Sequence, residues 1–332
     1  MLNKKITHSL TKICTLYIVF FFSEIAICQN FYTTQKGLSF GLNQKIQKNL
    51  GLLKSNNLNK KKVAIARLGA LKAKEAVPEL LAIIQTDTIN NQLKRLSINA
   101  LGNIKDLQAL EVLQHNLFNT DKEISKASIR ALLNFEDLSV SHQIIKLATS
   151  ESNFLKVETL AALATTNFWL SNLQKNTQFL KSLENNISNS NEEIQEKTII
   201  LLGLIKNEKH HKLLHSLVHS TSSNRIKIQL VKAMVRYQKK SDISSIKTLV
   251  NSDNMLHCII AGSLVKLGDF EAINNLKNFL NSDSIKIRME AIYQLASIRN
   301  KESLELLKTR QLLEKEPSLQ RLLTFITTQY NM

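Results

Sequence analysis

The chain alternates amphipathic stretches with short polar breaks, and the stretches recur. In IKIRMEAIYQLASI, residues 285–298, Ile287, Ala291, Ile292 and Leu295 fall on one stripe at helical spacing. Leu295 has equivalents along the chain. Leu68, Leu101, Leu132, Leu163, Leu202, Met234, Leu264 and Leu295 form a column whose successive gaps are 33, 31, 31, 39, 32, 30 and 31 residues. Seven intervals this similar define an array of about eight units. Twelve residues past the column a second apolar set follows: Leu80, Leu113, Ile144, Leu214, Ile246, Leu276 and Leu307. A polar tetrapeptide such as Lys105-Asp106-Leu107-Gln108 lies between the two sets, with room only for a tight turn. Each unit is therefore predicted to be two helices.

The breaks carry their own signals. Asn251-Ser252-Asp253 and Asn281-Ser282-Asp283 separate units and offer short side chains that accept hydrogen bonds from a helix start. Gly69, Gly102 and Gly203 directly follow the column, where a missing Cβ lets two helices approach closely. Two regions break the rhythm. The 39-residue gap between Leu163 and Leu202 holds about eight extra residues, placing an insertion at about 165–192 that starts with Phe168 and Trp169. Insertions in repeat arrays map to loops on one face, so these two aromatics are candidates for partner contact, beside the plainer role of filling a seam. Residues 29–56 lack the column and read as an N-terminal segment followed by a capping helix, LNQKIQKNLGLL. SLQRLLTFITTQY reads as a lone closing helix.

The stretch Leu68-Gly69-x-Leu71, followed by Ala76-Val77-Pro78-x-Leu80, resembles the HEAT-repeat family in its short, phycobilisome-lyase-type form. There the second helix opens with a similar Ala-Val-Pro-x-Leu, with Pro in the first turn where its missing N–H costs nothing. The hydrophobic-basic pairs Leu93-Lys94, Leu155-Lys156, Ile226-Lys227 and Ile287-Arg288 match as well. The resemblance covers roughly residues 57–332. Only the first unit keeps Ala-Val-Pro, and only three keep the Gly. It implies an all-α chain, a right-handed α-solenoid of about eight helix pairs. It does not imply an activity, since such repeats serve scaffolds, inhibitors, lyases and nucleic-acid enzymes alike.

Composition agrees with a helical array. The 332 residues include only 8 Gly and 2 Pro, too few for the turns of a β-rich or α/β chain of this length. Residues 1–28 read differently: Lys4, Lys5 and Lys12 precede the apolar run ICTLYIVFFF and the small-residue end Ala26-Ile27-Cys28. That is a secretory signal cleaved before Gln29, giving an exported, periplasmic or secreted protein. Lipidation at Cys28 is the competing form, weakened by the bulky Ile27 before it. No later segment is long and apolar enough to span a bilayer. Cys14 and Cys28 fall in the signal, which leaves Cys258 with no disulfide partner and a packing role.

Charge adds one hypothesis. The net charge is +17, and without Lys4, Lys5, Lys12 and Glu24 there remain 41 basic against 26 acidic side chains. One residue past the second apolar set, the later units carry His215, Lys247, Lys277 and Lys308, while earlier units hold Leu81, Gln114 and Ile145. On second helices lining a concave face this is a basic stripe, able to attract an anionic polymer. Lysines crowded among Asn and Ile also arise from plain compositional bias. Nucleic acid is disfavoured by the 6% aromatic content and by the export signal. His211, His215 and His219 stand at one-turn spacing as a weak metal set, without an acid or Cys in the stretch to complete it. No phosphate loop, nucleophile elbow or His-Glu-x-x-His is present, and no cofactor is implied. The leading expectation is an exported, non-enzymatic scaffold that binds a macromolecular partner, foremost a protein, along its concave helix face. The alternative is a binder of anionic polymer, and more distantly a metal-dependent or lyase-type enzyme.

Overall fold

A computed structural model describes residues 41–86 and 90–329. The expected signal peptide, and the expected N-terminal segment up to residue 40, lie outside the described residues. Helical backbone over 41–53 forms α1. Eight pairs follow in chain order. The first three are α2 (Leu58–Ala70) with α3 (Val77–Gln85), α4 (Asn91–Ile104) with α5 (Leu110–His115), and α6 (Lys122–Asn134) with α7 (Ser141–Ala148). In the fourth pair α8 (Asn153–Leu163) and α10 (Thr177–Asn186) flank an extra helix, α9 (Asn167–Leu173). Next come α11 (Glu192–Ile205) with α12 (Glu208–Leu217), and α13 (Asn224–Val235) with α14 (Asp242–Lys247). The last pairs are α15 (Asn254–Leu267) with α16 (Ile273–Phe279), and α17 (Ile285–Ile298) with α18 (Lys301–Leu313). Helix α19 (Pro317–Gln329) closes the chain. No strand occurs among the described residues, and no helix there is long and apolar enough to cross a membrane.

The chain divides into two compact units between Phe135 and Glu136. In the first, α2 packs on α4 and α4 on α6. In the second, α8, α11, α13, α15 and α17 stack in sequence, each against the next. This is the all-α array of helix pairs expected from the sequence. Burial follows the two apolar columns. All eight first-helix residues from Leu68 to Leu295 are at most 4% exposed, and all seven second-helix residues from Leu80 to Leu307 are 0% exposed. No helix could shield its apolar stripe alone, so stacking is what holds the array together.

The second column has an eighth member, Leu183, also fully buried. It follows Leu163 by twenty residues instead of twelve, because α9 is inserted between the paired helices of the fourth unit. The extra residues are thus confined to the intra-unit connection. The rest of the region expected to be irregular, α10, is an ordinary second helix.

Why the fourth unit differs is visible in the backbone. Four residues past the column, Lys72, Lys105, Glu136, Lys206, Gln238 and Arg299 adopt φ of 52–58°, and Gly268 adopts 103°. In these seven units the left-handed residue lies at or just past the end of the first helix, where it turns the chain. In the fourth unit the same place is Asn167, the first residue of α9, and it is not left-handed. Lys72, Lys105, Lys206 and Arg299 therefore stand at helix C-termini, where a positive side chain favours the helix dipole.

The three glycines act as expected. A Cβ on Gly69, Gly102 or Gly203 would come within 2.7–2.8 Å of a carbon of Ala100, Ala131 or Ala233 on the next first helix. The capping expectation holds at Asp253, whose carboxylate accepts from the Leu256 N–H at 2.9 Å. It differs at the next break. Helix α17 starts after Ser284 without a side-chain cap, and Arg288 donates to the carbonyls of Ser282 (2.8 Å) and Asp283 (3.1 Å).

Candidate functional site

The second helices of the last units carry the side chains that sequence spacing singled out. Each follows a fully buried residue by one position, so the helix itself turns it outward. Lys247 on α14, Lys277 on α16 and Lys308 on α18 are all exposed. Lys277 and Lys308 have no acidic partner among the described residues, whereas Lys247 Nζ lies 2.6 Å from Asp269. His215 on α12 is half-buried and its Nε2 is hydrogen-bonded to Ser245 Oγ at 2.8 Å. Around the lysines the exposed surface is made of Ser244, Thr248, Asn274, Asn278 and Thr309. It is rich in hydrogen-bonding groups, and one turn past Lys308 it also carries Leu312, 86% exposed.

The two aromatics of the insertion are placed differently. Trp169 is 0% exposed, so its ring fills the interior beside α8 and α11 and offers no surface to a partner. Phe168 is half-buried and meets Trp169 edge to face, with ring centroids 5.1 Å apart. Of the pair, only Phe168 keeps accessible area.

The histidine series does not form one helical row. Helix α12 ends at Leu217, and His219 lies beyond it, exposed in the following turn. His211 and His215 are 6.3 Å apart by ring centroid, but each is engaged elsewhere. His211 Nε2 donates to Asp242, at 2.8 and 3.0 Å from its two oxygens. Its Nδ1 lies 3.5 Å from Lys239 Nζ, which in turn pairs with Glu208 at 2.7 Å. Among the described residues no three His, Cys, Asp or Glu side chains converge as a metal site.

The acid that sequence reading did not find is Asp242. It sits in the first turn of α14, where Asp is ordinary for dipole reasons, so its burial left no signal. Aligning second helices explains it. Four residues before the second column stand Ala76, Ala109, Val140, Phe179, His210, Asp242, Ala272 and Ser303, all buried. Two neighbouring units thus place ionisable groups where the other units are mostly small or apolar. His210 is 1% exposed, with Nε2 3.4 Å from Glu184 and Nδ1 without a partner. Burial pushes the His210 imidazole below its usual value, against the pull of Glu184. Tyr237 lies tilted against His211, ring centroids 4.8 Å apart, and donates to the Leu202 carbonyl at 2.9 Å; burial raises its hydroxyl to about 12. His211, Asp242, Lys239 and Glu208 thus form one chain of polar contacts, while His210 meets Glu184 alone. The His211–Asp242 hydrogen bond links α12 to α14 of the next helix pair. Cys258 is also inert: it is fully buried, and burial, with Glu290 adding, lifts its thiol to about 12.

Residues 46–133 match the family model for HEAT repeats. No curated protein matches the chain. Solved structures similar to it include the complex of CpcE and CpcF of phycocyanin lyase from Nostoc sp. PCC7120, at 14% identity over 70% of this chain and 94% of that one, TM-score 0.38. YibA of Escherichia coli aligns at 16% identity over 78% of this chain and 96% of its own, TM-score 0.48. Human deoxyhypusine hydroxylase in complex with glycerol aligns at 14% identity over 77% and 96%, TM-score 0.35.

Proposed function

From the premise that residues 46–133 are HEAT repeats, with the same two-helix register running on to α18, we propose that the protein is an exported, non-enzymatic scaffold. It binds a macromolecular partner, a protein, on the outward face of its second helices. The observation that carries this reading is the recurrence, once per unit, of an exposed basic side chain on α14, α16 and α18 within a hydrogen-bonding surface. Each unit contacts its neighbours in sequence, so such a surface is extended and shallow, suited to a chain-like or broad partner more than to a small molecule. Export rests on the basic, apolar and small-residue succession of residues 1–28.

The test is site-specific photo-crosslinking in cells that express the full chain. Crosslinkers at Lys277 and Lys308 give one discrete protein adduct, and a crosslinker at Lys122 on α6 gives none. N-terminal sequencing of the recovered protein begins at Gln29. A second reading, an anionic polymer at the same lysines, is favoured by the lack of acidic partners at Lys277 and Lys308. It predicts salt-sensitive retention on heparin that is lost in a Lys247→Glu, Lys277→Glu, Lys308→Glu variant, with no protein adduct.

A further inference from the structure

In three units the residue seven before the first-helix column reaches back to the chain at the end of the preceding second helix. Ser125 Oγ donates to the Leu117 carbonyl, Gln195 Nε2 to the Ile187 carbonyl at 2.7 Å, and Arg288 Nη1 to the Ser282 and Asp283 carbonyls. In the second helix pair this residue is Lys94, and it is not committed in that way. Lys94 has no hydrogen bond or ion pair among the described residues, and it lines a cavity of about 510 Å³ between α3, α4 and α5. The other polar walls are Gln85 at the end of α3, Glu111 and His115 one turn apart on α5, and Asn116 and Asn119 just past it. Glu111 and His115 are exposed and likewise have no partner among the described residues. Asn116 is only 7% exposed. One of its amide N–H groups donates to the Val112 carbonyl at 2.8 Å and its oxygen accepts from Asn119 at 3.1 Å, which leaves the second N–H to the cavity.

The last helix pair shows what these positions bind. Counted from the two apolar columns, Lys94 corresponds to Arg288, Asn116 to Arg310, Gln85 to Asn281 and Glu111 to Glu305. There Arg288 and Arg310 both hold the Glu314 carboxylate, at 2.9–3.0 Å, and Arg310 also donates to Asn281 at 3.3 Å. An acid at the place of Glu305 thus coexists with a bound carboxylate. In the second pair the residue corresponding to Glu314 is Thr120, so the chain brings no carboxylate of its own to Lys94.

We propose that the cavity beside Lys94 binds a small amino-carboxylate zwitterion, an amino acid or a short peptide. The ligand carboxylate takes the role that Glu314 has in the last pair, on the Lys94 ammonium, with the Asn116 N–H and His115 as further donors. The ligand ammonium meets Glu111, which has no cationic partner among the described residues. Both ends are then charge-assisted hydrogen bonds, the strong kind. A plain anion satisfies Lys94 but faces the Glu111 carboxylate, and a plain cation does the reverse; a zwitterion matches both. The cavity volume lies within the roughly 300–1,000 Å³ of small-molecule sites. Glycine and triglycine carry the same two charges at different separations, since each added residue lengthens an extended chain by about 3.5 Å.

Nuclear magnetic resonance of the protein labelled with 13C-histidine tests this, the His115 ring signal being identified by its loss in His115→Gln. The probes are glycine, triglycine and acetate, titrated at neutral pH. A saturable shift of the His115 signal with a Kd of about 10 mM or tighter is expected for glycine or triglycine. The tighter of the two tells a free amino acid from a peptide, and acetate binds more weakly than either. Lys94→Met raises the zwitterion Kd by about tenfold or more, and Glu111→Gln removes the advantage over acetate. Circular dichroism shows unchanged helicity in both variants, because neither side chain has a partner to lose. Three outcomes overturn the proposal: no saturable shift with either zwitterion, acetate binding as tightly, or a smaller effect of Lys94→Met. None of these residues lies on α14, α16 or α18, so failure here leaves the scaffold reading standing.

Discussion

Arg288 donates from Nε and Nη2 to the two carboxylate oxygens of Glu314, each at 3.0 Å, across the last helix pair. Arg310 binds the same carboxylate at 2.9 and 3.0 Å, and its Oε1 also accepts from the Lys315 and Glu316 N–H groups. One nearly buried acid thus gathers two guanidinium groups and the start of the connection to α19. Two-pronged Arg–carboxylate geometry is the strong form of such a contact.

Glu314→Gln should therefore destabilise the protein by about 3–5 kcal/mol, because it leaves two largely buried guanidinium groups without a counter-charge. Burial by itself raises the Glu314 carboxyl; the hydrogen bonds from Arg288, Glu316 N–H and Arg310 outweigh it and hold it at about 2. A depressed carboxyl gives stability that is full above its ordinary value and fades as pH falls through the folded one. Urea titrations between pH 7 and pH 2 should show wild type losing this contribution below about pH 4.5, with the variant's curve flatter there.

The left-handed turn predicts two effects of opposite sign at one repeat position. Lys206→Gly relieves φ of 55° and should stabilise by about 0.5 kcal/mol after the added freedom of the unfolded chain is counted. Gly268→Ala imposes a Cβ on φ of 103° and should cost about 1 kcal/mol or more. Thermal unfolding of both variants measures the signs directly.

Helix approach gives a third test. Gly203→Ala sets a Cβ 2.7 Å from Ala233 Cβ, so α11 and α13 must part or strain, at roughly 1–3 kcal/mol. Adding Ala233→Gly removes one of the colliding carbons and should recover part of the loss. Equal and additive losses in the double-mutant cycle would show that the two positions do not meet.

Apolar spacing made most of this fold legible. Leu68 to Leu295 and Leu80 to Leu307 are buried because a helix hides its stripe only against a neighbour, and that constraint repeats in every unit. Gly69 and Gly203 were readable for the same reason. Leu183 escaped because α9 shifted it out of phase. His219 was misplaced on α12 because the helix ends by its hydrogen-bond geometry, not by a composition signal. Asp242 escaped for a deeper reason: at a helix start an exposed and a buried Asp look alike, and only the neighbouring units, with Ala109 or Ala272 in its place, disclose the difference. Trp169 was ambiguous from sequence because a large aromatic serves a seam and an interface equally well; only its burial decides.

His210 supplies the last prediction. It is buried in a place that Phe179 fills one unit earlier, and burial holds its pKa below the ordinary histidine value. The unfolded chain then binds a proton more readily than the folded one. Stability is full above about pH 6.5 and declines as pH falls from there through the folded value. The groups facing it are Glu184 on α10, which pulls the other way, and Lys209 beside it on α12, which adds to the lowering. His210→Leu keeps the volume apolar, as in the other units, and leaves Glu184 paired with Lys209 at 2.7 Å. Urea midpoints measured from pH 8 to pH 5 should therefore fall less in the variant than in wild type. Parallel curves would mean that the His210 proton is taken up equally in both states, and that the imidazole is better solvated than its place in the helix pair implies.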